Sequence, residues 1–106
     1  MISQKERFKL EEEWGRWLMS VKWAAMGCGE MGYGTKNALA DRVDYIYVWM
    51  HRHTWDEYFA DMVLRLMKDI AQQQRWHNCT FPSPPESLVT FLKSRVNAPI
   101  PLVDYT

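Results

Sequence analysis

The sequence predicts an all-α fold, a compact bundle of about four helices with a Gly-rich loop after helix 1 and an extended, Pro-containing C-terminal tail. Three observations predict it. Apolar residues recur at helical spacing in four stretches, and no segment alternates strictly enough to form a strand. Glycine and proline are segregated, with four of five Gly between Gly27 and Gly34 and all five Pro between Pro82 and Pro101. The 106 residues are 47% apolar and 25% charged, which describes a globular chain. At this length about two thirds of the unfolded surface can be buried, so a single domain over 1–106 needs no metal or disulfide staple.

Ser3 with Glu6 three residues on is a capping box that starts a first helix over about 4–26. Leu10, Trp14, Trp17, Leu18, Val21, Ala24 and Ala25 form its apolar stripe, and Lys9, Glu12, Glu13, Arg16 and Lys22 mostly take the other face. Gly15 costs about 1 kcal/mol against Ala inside a helix and so marks the close approach of a neighbour. Four glycines in eight residues, Gly27 to Gly34, lose too much backbone entropy for a helix and predict a loop. Thr35 caps a second helix over 35–50, with Leu39, Val43, Ile46, Tyr47 and Met50 inward. Thr54 with Glu57 is a second capping box, for a third helix over 54–76 carrying Phe59, Met62, Val63, Leu66, Met67 and Ile70. Ser83-Pro84-Pro85-Glu86 is a third, for a short helix over 84–96, after which Asn97-Ala-Pro-Ile-Pro enforces an extended tail over 97–106.

Composition excludes several functions. Thirteen Lys+Arg balance thirteen Asp+Glu, and residues 61–106 hold five bases against four acids, so no half of the chain is a basic nucleic-acid module. A nucleic-acid partner is only weakly supported. No apolar run approaches the roughly 20 residues that span a bilayer, and Met1 to Lys9 is too charged for a signal peptide. A cytoplasmic protein without a membrane partner is expected. Cys28 and Cys79, far apart in sequence, fit free thiols in a reducing compartment.

The chemistry-bearing constellations are poor. His51-x-His53 with Asp56 and Glu57 gathers four metal-ligand types, but the histidines straddle a helix break and the acids belong to a cap, so no metal is assigned. His77 and Cys79 lack a third residue to orient them, and Asn78-Cys79-Thr80 is a chance glycosylation sequon. Gly34-Thr35-Lys36 has the letters of a phosphate loop in the wrong order, with no preceding strand. No catalytic residue and no cofactor follow. A metal or thiol enzyme using His51, His53, His77 or Cys79 is the least supported class.

Six Trp, five Tyr, four Phe and seven Met require another explanation. Trp14, Trp17 and Trp49 read as a helical seam. Six indoles exceed what four short helices bury with every N–H satisfied, so the others face a partner. Trp23, Tyr33, Trp55 and Trp76 flank helix ends or loops and, with Arg75, are the predicted partner-binding residues, being of the types that dominate interface hot spots. Such aromatics would serve a homodimer equally well.

The block Leu10-Glu-Glu-Glu-Trp14-Gly15-Arg16-Trp17, then Gly32-Tyr33, then Asp41-Arg42-Val43-Asp44, resembles the N-terminal part of the small phage Q-type antitermination proteins, over residues 10 to 50. The resemblance implies a phage or prophage origin, a bacterial host cytoplasm, and a role at RNA polymerase or promoter DNA. In that family a helix-turn-helix follows; here residues 54–76 are one amphipathic run with no turn where a reader helix begins, which argues against sequence-specific DNA reading. The expected function is that of a small non-enzymatic, phage-encoded regulator that binds a host protein complex such as RNA polymerase. The alternative is a stoichiometric inhibitor of a host defence complex, of the anti-CRISPR kind.

Overall fold

The computed structural model describes residues 2–27, 33–77 and 79–96, and among them every regular element is an α-helix: α1 (Gln4–Gly27), α2 (Tyr33–Arg52), α3 (Glu57–His77) and α4 (Glu86–Arg95). The Ser3 hydroxyl accepts the Glu6 N–H at 3.1 Å, as the first capping box predicts. The other two boxes are corrected. Asp56, not Thr54, accepts the Phe59 N–H at 3.1 Å and caps α3. Before α4 the N-cap is Pro85, in extended backbone and with no side-chain bond. A proline biases its predecessor out of the helical region, so the Pro84-Pro85 pair delays the start to Glu86. The glycine stretch is helical at both ends, with Gly27 closing α1 and Tyr33 and Gly34 opening α2. Residues 28–32 and the tail 97–106 lie outside the described residues.

Cross-helix pairs fix the topology. Arg7 reaches the His53 carbonyl, Glu11 reaches His51, and Lys22 reaches Asp44 at 2.9 Å, so α1 and α2 are antiparallel. Arg42 pairs with Asp69 and the rings of Trp49 and Tyr58 lie 5.2 Å apart, so α2 and α3 are antiparallel too. The α1–α2 approach is close because Gly15 has no side chain: a Cβ there would stand 3.0 Å from Tyr47 Cε2. The neighbour the sequence foresaw at Gly15 is this ring.

The core is strongly aromatic. Trp14 packs against Trp55 at 4.5 Å and Phe91 at 5.3 Å between ring centroids, and Phe59 completes the group. The buried indoles are satisfied. Trp14 Nε1 donates to Ser87 Oγ at 2.9 Å, Trp17 Nε1 to the Pro82 carbonyl at 3.0 Å, and Trp55 Nε1 to the Met50 carbonyl at 3.0 Å. Arg7 finishes α2, donating to the carbonyls of Met50 at 2.9 Å and His53 at 2.7 Å while its guanidinium lies 4.8 Å from the Trp55 ring. The radius of gyration, 13.5 Å, is close to the ~13 Å of a compact domain this long.

The free-thiol expectation is overturned. Cys79 is buried and disulfide-bonded, and the sequence's other cysteine, Cys28, lies outside the described residues. Sequence separation misled because two antiparallel hairpins bring the α3 C-terminus to the pole where α1 ends.

Candidate partner-binding surfaces

The structure separates the predicted anchors. Trp23 on α1 and Trp76 on α3 are 67% and 72% exposed, and Arg75 is exposed beside Trp76. Trp55 is corrected: it is 7% exposed, a core residue. It directly precedes the Asp56 cap, where a helix start turns inward, and its position by the break hid its contacts with all four helices. The Tyr33 side chain lies outside the described residues. Of the seam, Trp14 and Trp17 are buried, but Trp49 is partly exposed and its buried Nε1 has no hydrogen-bond partner among the described residues.

Two faces emerge. The first spans α2 and α3. On α3, Tyr58, Arg65, Lys68, Gln72, Arg75 and Trp76 are all exposed and share one side of the helix at 3.6-residue spacing. On α2, Tyr45 and Val48 are about half exposed, at 54% and 49%. Trp49 links the two helices, with ring centroids 5.9 Å from Tyr45, 5.2 Å from Tyr58 and 3.9 Å from His53. Next to this ladder lies an open groove of about 450 Å³ between Arg42, Tyr45, Ile46, Met62, Arg65 and Lys68, with Asp69 at its edge. Arg42 is paired with Asp69 and Arg65 with Asp61 at 2.9 Å; among the described residues of this face Arg52, Lys68 and Arg75 have no ion pair, against Asp41 and Glu57, an excess of one positive charge.

The second face lies on α1. Phe8, Met19, Trp23 and Met26 form a stripe separate from the core stripe, and Phe8 is 70% exposed. A groove of about 660 Å³ runs along it from Phe8 to Trp23, floored by Gly15 and walled on the α2 side by Tyr47 and His51. Phe8, Tyr45 and Tyr58 were not anticipated. The signal was present, because each sits out of phase with its helix's core stripe.

The titratable residues near the α2–α3 break are not gathered around one point. His51 Nδ1 lies 3.5 Å from Glu11 Oε1, His53 stacks on Trp49 and Asp56 caps α3, so the residues near the helix break take separate structural roles. Among the described residues no group of three or more His, Cys, Asp or Glu is placed to hold a metal ion. No helix among them is long and apolar enough to cross a membrane. The chain matches no known family model, and no curated protein or solved structure is detectably similar to it.

Proposed function

We propose that this chain is a small non-enzymatic binding protein that docks its α2–α3 face on an acidic surface of a larger protein complex. The observation that carries the reading is the joint exposure of Tyr45, Tyr58 and Trp76 beside Lys68 and Arg75. Large aromatics and arginine supply most binding energy at protein interfaces, and cations that lack an acid of their own select an acidic counter-surface. The resemblance of residues 10 to 50 to Q-type antitermination proteins makes RNA polymerase, in a bacterial cytoplasm, the first partner to test. An effector complex of host defence is the second.

The test is affinity capture from bacterial lysate with the wild-type chain and with Trp76→Ala and Arg75→Glu variants. Recovery of polymerase subunits that is lost with both variants supports the proposal, and effector-complex subunits lost in the same way move the assignment to the alternative. Capture unchanged by either variant, or nuclease-sensitive recovery of nucleic acid alone, overturns it.

A further inference from the structure

We infer that two copies of this chain pair through α1, antiparallel, about a two-fold axis at the level of residue 14. This goes beyond the proposed partner and uses a different face of the molecule.

At 100° per residue Lys5, Phe8, Glu12, Arg16, Met19, Trp23 and Met26 fall within an arc of about 80° on α1. All are exposed except the part-buried Met19. This narrow stripe is out of phase with the core, and among the described residues only Met19 of it packs against the core cluster. The order of residues along it is self-complementary. With the axis at residue 14, Glu12 of each copy stands opposite the other copy's Arg16, giving two symmetric ion pairs. Phe8 meets the level of Met19 and Ser20, which line the groove. Lys5 meets the level of Trp23, whose exposed ring face is a cation–π acceptor. No rung opposes like charges, and antiparallel helices also align their dipoles favourably.

Charge makes a second copy the better occupant here than an unrelated protein. Neither Glu12 nor Arg16 has an ion-pair partner among the described residues, so both are free to form one. The formal net charge of the chain is zero, so no long-range repulsion keeps copies apart. On the α2–α3 face, by contrast, pairing two copies would bring Lys68 and Arg75 into a cationic surface of the same kind.

The area sets the strength. Phe8 and Trp23 are 70% and 67% exposed, and aromatic side chains of this size bring roughly 150–250 Å² each when fully buried. With the methionines and the stems of Lys5 and Arg16, the stripe supplies roughly 500 Å² per copy, about 1,000 Å² in all. That is the low end of specific interfaces, so the dimer is reversible, with a Kd on the order of 10–100 µM.

Sedimentation velocity on the purified full chain from ~1 to ~500 µM, with circular dichroism melts beside it, tests this without any partner. We expect a monomer–dimer equilibrium in that range, and Glu12→Arg or Arg16→Glu to weaken it on the order of tenfold with unchanged melts. The double variant Glu12→Arg/Arg16→Glu restores the wild-type constant, and the two single variants mixed together form a heterodimer. A chain that stays monomeric at ~500 µM, a dimer indifferent to the single reversals, or a double reversal that fails to rescue overturns the inference.

Discussion

Replacing Trp55 by Ala separates core from surface more sharply than any other single change. Its ring packs 4.5 Å from Trp14, 5.9 Å from Phe59 and 6.1 Å from Phe91 between centroids, its N–H donates to Met50, and Arg7 lies over its face. Truncating a buried Trp costs about 3–5 kcal/mol through lost transfer energy and the cavity left behind. The Met50 carbonyl keeps its bond from Arg7, so no buried acceptor is orphaned, and the expected cost is about 4 kcal/mol. Domains of this length are stable by roughly 5–15 kcal/mol, so Trp55→Ala removes a large share of the total. In urea, with a slope of about 1–2 kcal/mol/M, the midpoint falls by ~2–4 M. Far-ultraviolet circular dichroism is the right readout, because six tryptophans confound fluorescence. Trp76→Ala, at a site 72% exposed, is the internal control and shifts stability by less than ~0.5 kcal/mol. A Trp55→Ala midpoint within ~0.3 M of wild type, or a Trp76→Ala loss of equal size, would refute the assignment of these two residues to core and surface.

The remaining predictions concern backbone approach, capping and the crosslink. Gly15→Leu drives a side chain into Tyr47 and costs about 2–3 kcal/mol by urea unfolding, with part recovered in the Gly15→Leu/Tyr47→Ala double variant. Arg7→Ala takes the side-chain donor from the His53 carbonyl, leaves the Met50 carbonyl with the Trp55 N–H alone, and costs about 2 kcal/mol, with faster amide exchange in the last turn of α2. Arg7→Lys recovers less than half of this, since an ammonium cannot bridge both carbonyls while lying flat on an indole. Reduction with dithiothreitol breaks the Cys79 disulfide and lowers stability by about 2–5 kcal/mol; a melting temperature unchanged by reductant counts against a structural crosslink.

The number and order of helices were legible because periodicity is local. Leu18, Val43, Val63 and Leu92 sit where a 3.6-residue stripe places them, and each is buried. Helix starts were legible only where one residue decided the cap, as at Ser3. At Thr54 and Ser83 the cap motif was overridden within three residues, by a better-placed carboxylate at Asp56 and by the stiffness of Pro84-Pro85. The fate of each Trp was least legible, because burial depends on distant partners. Trp55 gains Arg7 and Trp14 from α1 and Phe91 from α4, whereas Trp23 and Trp76 gain no hydrogen-bond or ring partner among the described residues. Helical phase would have exposed Phe8 and Tyr58, since each is off the core stripe of its own helix. The Cys79 bond was hidden because it depends on topology, which no pairwise spacing encodes.

Trp14, Gly15 and Trp17, at the centre of the resemblance to Q-type antitermination proteins, are buried and not available to a partner. Trp14 and Trp17 are buried with their indoles bonded to Ser87 and the Pro82 carbonyl, 73 and 65 residues away, and Gly15 is the contact point for Tyr47. The block therefore acts as a folding device: it anchors the α3–α4 connection and the start of α4 onto α1. In the proposed function, partner choice rests instead on Tyr45, Tyr58, Arg75 and Trp76, all but Tyr45 outside the resembling stretch. A substitution at Trp14 that abolishes capture acts through unfolding and lowers the melting curve with it. One at Trp76 acts through contact and leaves the curve in place, so melts run beside each capture decide which of the two has been lost.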